Sequence, residues 1–318
     1  METALLDLPH SEARRLVQTG AAVYLTVNPV EFHGPHLSLH NDRLVSLGIA
    51  RQLHQELRQR GHDWPFLLGS DLEVGVEPCP GPGSRHASLA TVRRLVLEAC
   101  RSLVELGTKR VILMTFHGAP LHGLAIQAGV DWLTAQGVVA VAPFNLILAE
   151  MLRLDSTASY QDALSPIADP AQRQLVADEL RFDFHAGFFE TSVALHYAPQ
   201  SVAPLYRELP PCPPVPAIRT LAGASRLARW LGKETLAREL QFAAVGLAWS
   251  DLRPFPGYTG RPHLASAASG GAFARRIGEL FTPAVEAVLS GRENSPPPIM
   301  EWVGWLSLGG RIGSVQRR

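Results

Sequence analysis

The sequence predicts an α/β fold in which a mostly parallel central sheet is covered by helices, and two observations carry that prediction. Apolar runs of strand length alternate with longer segments of helical period through the first half of the chain, which is the pattern of parallel strands joined by helical crossovers. With 318 residues and 46% hydrophobic content, the chain also has the material to bury the core of one large α/β domain or two small ones.

A short helix over 11–18 precedes a buried strand in AAVYLTV (21–27), a loop, and a helix from about Asp42 to Arg60. FLLGS (66–70) reads as the next strand, followed by a Gly/Pro-rich loop and a strongly periodic helix from Leu89 to Leu106. RVILMTF (110–116) is the third strand, with a helix through Leu124–Ala135 behind it, and GVVAVAP (137–143) the fourth, Gly137 stopping the helix before it. The polar segment from Asp155 to Asp183 carries a helix near 170–181, and HAGFFETSVALHY (185–197) opens another, with Glu190 and Thr191 ahead of an apolar face. Prolines crowd the stretch 203–216, forbidding a helix or central strand there and marking a surface excursion too short to separate domains. The core resumes at AAVGLAW (243–249), and a final helix spans about Gly271–Leu289. The expected organisation is a single domain over 1–291 with an insertion at about 203–216. A tail over 292–318, bearing Trp302 and Trp305, would pack on the core or on a neighbouring subunit.

Bulk properties narrow the function. Lys+Arg and Asp+Glu number 29 each, so no overall field attracts nucleic acid or an anionic membrane, and small neutral or mixed-charge ligands fit better. Cys79, Cys100 and Cys212 show no CxxC spacing and leave one thiol over in any disulfide scheme, which points to free thiols and a reducing, cytoplasmic setting. The N-terminus has neither the basic patch nor the apolar run of an export signal, and no later stretch is apolar enough to span a bilayer.

Chemistry-bearing residues concentrate in three blocks. EFHGPHLSLHND (31–42) gathers Glu31, His33, His36, His40 and Asp42 directly after a buried strand. Residues two apart in an extended stretch point the same way, so Glu31 and His33 can project into the crevice at the carboxyl end of the sheet, where α/β proteins bind ligands. Asp42 alone reads equally well as a helix N-cap; together with its neighbours it reads as part of a site. His117 follows the third strand and can face the first block across that crevice, although a single histidine there would pass for a satisfied polar group. The third block places His185 and Glu190 at the start of a helix. Imidazoles and carboxylates without a thiolate suit zinc or manganese, and Glu31, His33, Asp42, His117 and Glu190 suffice for two ions if Asp42 bridges them. A water held between the ions would lose its proton near neutral pH.

These residues resemble the signatures of the creatininase (creatinine amidohydrolase) family: Glu31-x-His33-Gly34-Pro35-His36-Leu37 with Asp42, and His185-Ala186-Gly187-x-x-Glu190-Thr191-Ser192 running to Pro199 and Val202. Weaker echoes are Gly83-Ser84-Arg85-His86 and Gly260-Arg261-Pro262 with Ala265 and Gly270. The resemblance implies a three-layer α/β/α fold, assembly as a homo-oligomer, often a hexamer, and two divalent ions per subunit, zinc and/or manganese with iron as a further candidate. On that pattern Glu31 and His117 hold one ion, His33 and Glu190 the other, and Asp42 bridges. His185 carries a proton, and Gly118 offers its N–H to the substrate, with His36, Ser84 and His86 as further substrate-binding positions. The implied activity is hydrolysis of a non-peptide or small cyclic amide or formamide C–N bond by a hydroxide bridging the two metals. The chain departs from the pattern at Thr115-Phe116-His117-Gly118-Ala119-Pro120, where many members carry Asn-Gly-His-Gly-Gly-Asn. Creatininases proper have a carboxylate in place of Ala119 and tryptophans closing over the ring, whereas 154–184 contains none, so creatinine is not the expected substrate. Deformylation of a pyrimidine intermediate, peptide trimming in redox-cofactor maturation, and a degenerate binding or scaffold protein stand as alternatives. A phosphoesterase is disfavoured because only Arg43 and Arg85 lie beside the ligand blocks.

Overall fold

Val23–Asn28 and Arg110–Met114 lie at the centre of one five-stranded sheet whose neighbours are all parallel, and the former leaves no side chain in solvent. The structure, a computed structural model, describes residues 2–153 and 157–311; Asp155 and the tail beyond 311 fall outside them. The strands are β1 (Glu2–Ala4), β2 (Val23–Asn28), β3 (Phe66–Glu73), β4 (Arg110–Met114) and β5 (Val139–Val141), in the spatial order β1-β3-β2-β4-β5. The helices of the first half are α1 (His10–Gln18), α2 (Asn41–Gln59), α3 (Leu89–Leu106), α4 (Pro120–Ala135), α5 (Phe144–Leu152), α6 (Gln161–Leu164) and α7 (Pro170–Glu179). Those of the second half are α8 (Phe188–Tyr197), α9 (Arg219–Trp230), α10 (Glu234–Ser250), α11 (Ala267–Leu289) and α12 (Trp302–Leu306).

Alternation along β2 divides the core into two. Val23, Leu25 and Val27 pack with α1, α3 and α4, whereas Tyr24 faces the other way into a cluster with α2, α8 and α11. Helices therefore cover both faces, giving three layers, α/β/α. β2 pairs with β3 on one side and β4 on the other, so the chain reverses its direction of progress across the sheet at β2. The crevice beyond the carboxyl ends of β2 and β4 lies at this switch point.

Several boundaries differ from the sequence reading for local reasons. The third strand ends at Met114 instead of 116 because Thr115–Ala119 turn away from the sheet. β5 keeps only three residues; next to it the Ala142 N–H is satisfied by Ser295 Oγ at 3.0 Å. α4 begins at Pro120 and not at Leu124, since a proline in the first turn forfeits no intrahelical bond. α11 begins before Gly271, where Ser266 Oγ accepts the Ser269 N–H at 3.0 Å. The short β1 and α5 had no periodic signal long enough to read, whereas α9, which is amphipathic over its 12 residues, was not assigned in the sequence reading. The proline-rich stretch does contain one 3-10 turn, Pro204–Glu208, because its proline stands at the first position. The stretch is anchored as well: Cys212 N–H donates to Gly260 C=O at 2.8 Å and the Tyr258 hydroxyl to Pro210 C=O at 3.0 Å. Part of the tail lies on the core, with Met300 N–H and Trp302 Nε1–H both donating to Glu239 at 3.0 and 2.8 Å. The three thiols are free, and no helix among the described residues is long and apolar enough to cross a membrane.

α8, which carries Glu190, is pressed against α11 at Gly270: a Cβ there would stand 1.9 Å from the Ser192 carbonyl oxygen, whereas one at Gly271 would meet only His196 at 3.5 Å. Gly270→Ala is expected to destabilise the fold by about 1–3 kcal/mol through overpacking. Gly271→Ala should be neutral or gain up to about 1 kcal/mol in helix propensity. Urea unfolding of the two variants checks the pair, and equal stabilities would contradict the close approach.

Candidate metal centre and active site

Loops leaving three adjacent strands build the site. Asn28, the last residue of β2, accepts the Phe116 N–H on its Oδ1 at 2.9 Å and so ties the loop after β2 to the loop after β4. The loop after β3 joins them: Cys79 N–H donates to Glu31 Oε1 at 2.5 Å, and Val76 C=O accepts His117 Nε2–H at 2.9 Å. Asp42 is the second residue of α2, and its side chain is not a helix cap; no side-chain capping bond is made there. Glu190 lies in the first turn of α8 and accepts the Ala186 N–H on Oε2 at 2.6 Å. Ala186 holds φ of +47° to reach it, the kind of costly backbone that persists where surroundings enforce it.

The side chains of Glu31, His33, Asp42, His117, His185 and Glu190 converge, each residue 7% exposed or less. Three of their contacts define the tautomers. His33 Nδ1–H donates to Glu31 C=O at 3.1 Å, His117 Nε2–H to Val76 C=O at 2.9 Å, and His185 Nε2–H to Phe32 C=O at 2.9 Å. Because a carbonyl only accepts, the other ring nitrogen of each neutral imidazole is a lone pair, and all three lone pairs face carboxylate oxygens. His33 Nε2 stands 2.9 Å from Asp42 Oδ1, and His117 Nδ1 stands 2.9 Å from Glu31 Oε2 and 3.5 Å from Asp42 Oδ2. His33 Nε2 is 3.7 Å from Glu190 Oε2, and His185 Nδ1 is 3.9 Å from Glu31 Oε1. Glu31 Oε2 and both oxygens of Asp42 are buried without a well-aligned hydrogen bond. Lone pairs facing lone pairs repel unless cations lie between them, so this donor set fits divalent metal ions. Three overlapping groups bring three donors close enough to hold an ion: Glu31–Asp42–His117, His33–His185–Glu190 and Glu31–Cys79–His185.

Without metals only protons can relieve the repulsion. Burial opposes charge on His33, but Asp42, Glu31 and Glu190 outweigh it and push its pKa up to about 10. Burial likewise opposes charge on His117, which Glu31 and Asp42 hold well above the usual range. Burial would raise Asp42, yet the His33 and His117 charges keep it well below. Burial lifts Glu190 to about 8, and burial followed by the His33 charge lowers His185 to about 4.

The remaining expected residues separate. Gly118 lines the cavity of about 220 Å³ that opens onto the cluster. His36 does not: Gly34, at φ +64°, turns the chain so that His36 Nε2 donates to Thr191 Oγ at 2.9 Å behind α8. Ser84 is a brace, accepting the Phe32 N–H at 2.9 Å and donating to Cys79 C=O at 2.7 Å. His86 is exposed on a second cavity that shares Glu77, Cys79 and Trp249 with the first. His40 lies outside the cluster, 41% exposed beside Glu73. Arg43 is paired with Asp71 at 2.6 Å and Arg85 is 70% exposed.

Other residues enter the site without a sequence signal. His122, 0% exposed, accepts the Val76 N–H on Nδ1 at 3.4 Å and so stands behind the carbonyl that orients His117. Asp183 accepts from Thr259 Oγ–H and Phe189 N–H at 3.0 and 2.8 Å, while Thr259 N–H donates to His185 C=O at 2.8 Å. Trp249 reaches over from α10, its ring 5.3 Å from that of His185. No local pattern links any of these to the ligand blocks.

A three-layer α/β/α scaffold with overlapping ligand groups clustered at its switch point defines the class. Residues 7–285 match the Creatininase family, described as creatinine amidohydrolase, and the chain belongs to it. No curated protein matches the sequence significantly. A putative creatinine amidohydrolase from Bacteroides fragilis NCTC 9343 has the same fold, with 17% identity and a TM-score of 0.60 over 91% of this chain and 96% of that one. A creatininase described with manganese superposes at TM-score 0.54, with 17% identity over 90% of this chain and 98% of that one. A mutant creatininase of zinc–zinc type superposes at TM-score 0.55 with the same identity and coverage.

The raised pKa values of His33 and His117 mean that both hold protons at neutral pH until metal displaces them. Loading the metal-free protein at pH 7 is therefore expected to release about two protons from these histidines and up to one more from Glu190, which burial also leaves largely protonated there, and affinity should weaken as pH falls. Calorimetry in two buffers of different ionisation enthalpy measures this release; none at all would contradict the assignment.

Proposed function

We propose that this protein is a metal-dependent amidohydrolase acting on a small non-peptide or cyclic amide, or a formamide, with two divalent ions drawn from zinc, manganese and iron. The observation that carries the reading is the convergence of three imidazole lone pairs on three buried carboxylates. Family membership supports it, as do the manganese and zinc–zinc creatininases of the same fold. In this reading Glu31 and His117 hold one ion, His33 and Glu190 the other, and Asp42 bridges, since its two oxygens face one histidine each. When bound, such ions polarise a carbonyl and make water nucleophilic near neutral pH.

The chain's own groups supply the rest. His185 is within reach of an ion but in this reading stays off the metals: burial keeps it neutral, Nε2 is fixed on Phe32 C=O and Nδ1 points toward the cluster. It can take a proton at Nδ1 from the attacking water and return it to the departing nitrogen. Gly118 lies on the cavity wall, and in this reading its backbone N–H donates to a substrate oxygen. Phe116, Phe189 and Trp249 on the same wall exclude water around the scissile bond. Ala119 offers no carboxylate there, which supports a substrate other than creatinine. A homo-oligomer, hexameric by resemblance, belongs to the same reading.

A screen of lactams, formamides and short amides with the metal-loaded protein should find turnover that EDTA abolishes; its absence across the panel would favour a degenerate binding protein. His185→Gln should keep wild-type metal content while kcat drops by about 10²–10⁴-fold. Loss of one ion per chain in that variant would make His185 a ligand and refute the proton-carrying role.

A further inference from the structure

We propose that Arg181 holds the anionic end of the substrate, so that the compound hydrolysed is an amide bearing a single carboxylate on an apolar body. This rests on the amidohydrolase reading above and narrows its substrate class.

Away from the metal ligands the cavity is largely apolar, with Phe144, Ile147, Leu148 and Met151 on its wall, and Arg181 is the one Arg or Lys that lines it among the described residues. It comes from the one-turn 3-10 helix Leu180–Phe182, which leads straight into Asp183 and His185. Its guanidinium carbon lies 5.2 Å from the centre of the Phe182 ring, and a guanidinium resting on an aromatic face keeps its in-plane N–H donors for another partner. Arg181 Nε is buried and donates to nothing.

The carboxylates nearest in sequence are committed elsewhere. Glu179 receives both arms of the Arg261 guanidinium at 3.0 Å, Asp178 accepts from Gln174 at 2.7 Å, and Asp183 accepts from Thr259 and Phe189. A cation left without a counter-ion on the wall of an apolar cavity is costly unless a ligand supplies one. A planar fork matches the two oxygens of a carboxylate. Glu77, Asp183 and Glu190 on the same wall disfavour a more highly charged group such as a phosphate.

Binding of phenylacetate and phenylacetamide, which share one apolar body, tests this in the metal-loaded protein. The wild type should bind phenylacetate at least tenfold more tightly than the amide. Arg181→Gln should abolish that preference by weakening phenylacetate alone, and Arg181→Lys should retain part of it. A preference that survives in Arg181→Gln would place the carboxylate on the metals and overturn the proposal, as would a wild type that shows no preference or binds neither probe. Because binding is read without turnover, failure to hydrolyse any amide would count against the amidohydrolase reading and leave this result to stand by itself.

Discussion

Asp42 is 1% exposed, flanked by His33 at 2.9 Å and His117 at 3.5 Å, with no aligned donor on either oxygen. A carboxylate so buried needs positive charge, and no Lys or Arg among the described residues pairs with it. Its imidazole neighbours cannot supply neutral donors, because their N–H groups are turned outward onto the carbonyls of Glu31 and Val76. The arrangement is therefore satisfied by cations or by protons standing in for them, and the unusual ionisation of the cluster follows from that competition.

Such a cluster is only as well placed as the backbone carbonyls that orient its rings. Those carbonyls belong to the loops after β2 and β3, and the third strand end is locked to them through Asn28 and Phe116. The parallel order β3-β2-β4 brings all three loop starts side by side, which the sequence separation of Glu31, Val76 and His117 would otherwise forbid. α8 supplies the remaining carboxylate, and its position depends on the small residue at Gly270, where α11 crosses within contact of Ser192. Fold and chemistry are thus coupled at the strand ends and at one helix crossing.

Much of the fold was legible because the central strands are continuous apolar runs and the longer helices carry clear periodicity; α2, α3 and α8 lie where the pattern put them. The three-residue strands β1 and β5 are too short to carry a period. The ligand blocks were legible through residue density after strands, a local property. Distance in sequence hid Trp249 of α10, whereas His122 and Arg181 lie close to His117 and His185 along the chain but carry no local pattern that shows them facing the cluster or its cavity. His36 shows the converse limit. Its place in the same motif as His33 says nothing about which way it points, and the left-handed turn at Gly34 sends it to Thr191 instead of the cavity.

Anomalous scattering from crystals soaked in manganese or zinc tests the central claim most directly. Two peaks are predicted, one beside Glu31 and His117 and one beside His33 and Glu190, with a separate oxygen of Asp42 directed at each. A single peak remote from Asp42, or none at all in fully soaked crystals, would contradict the account.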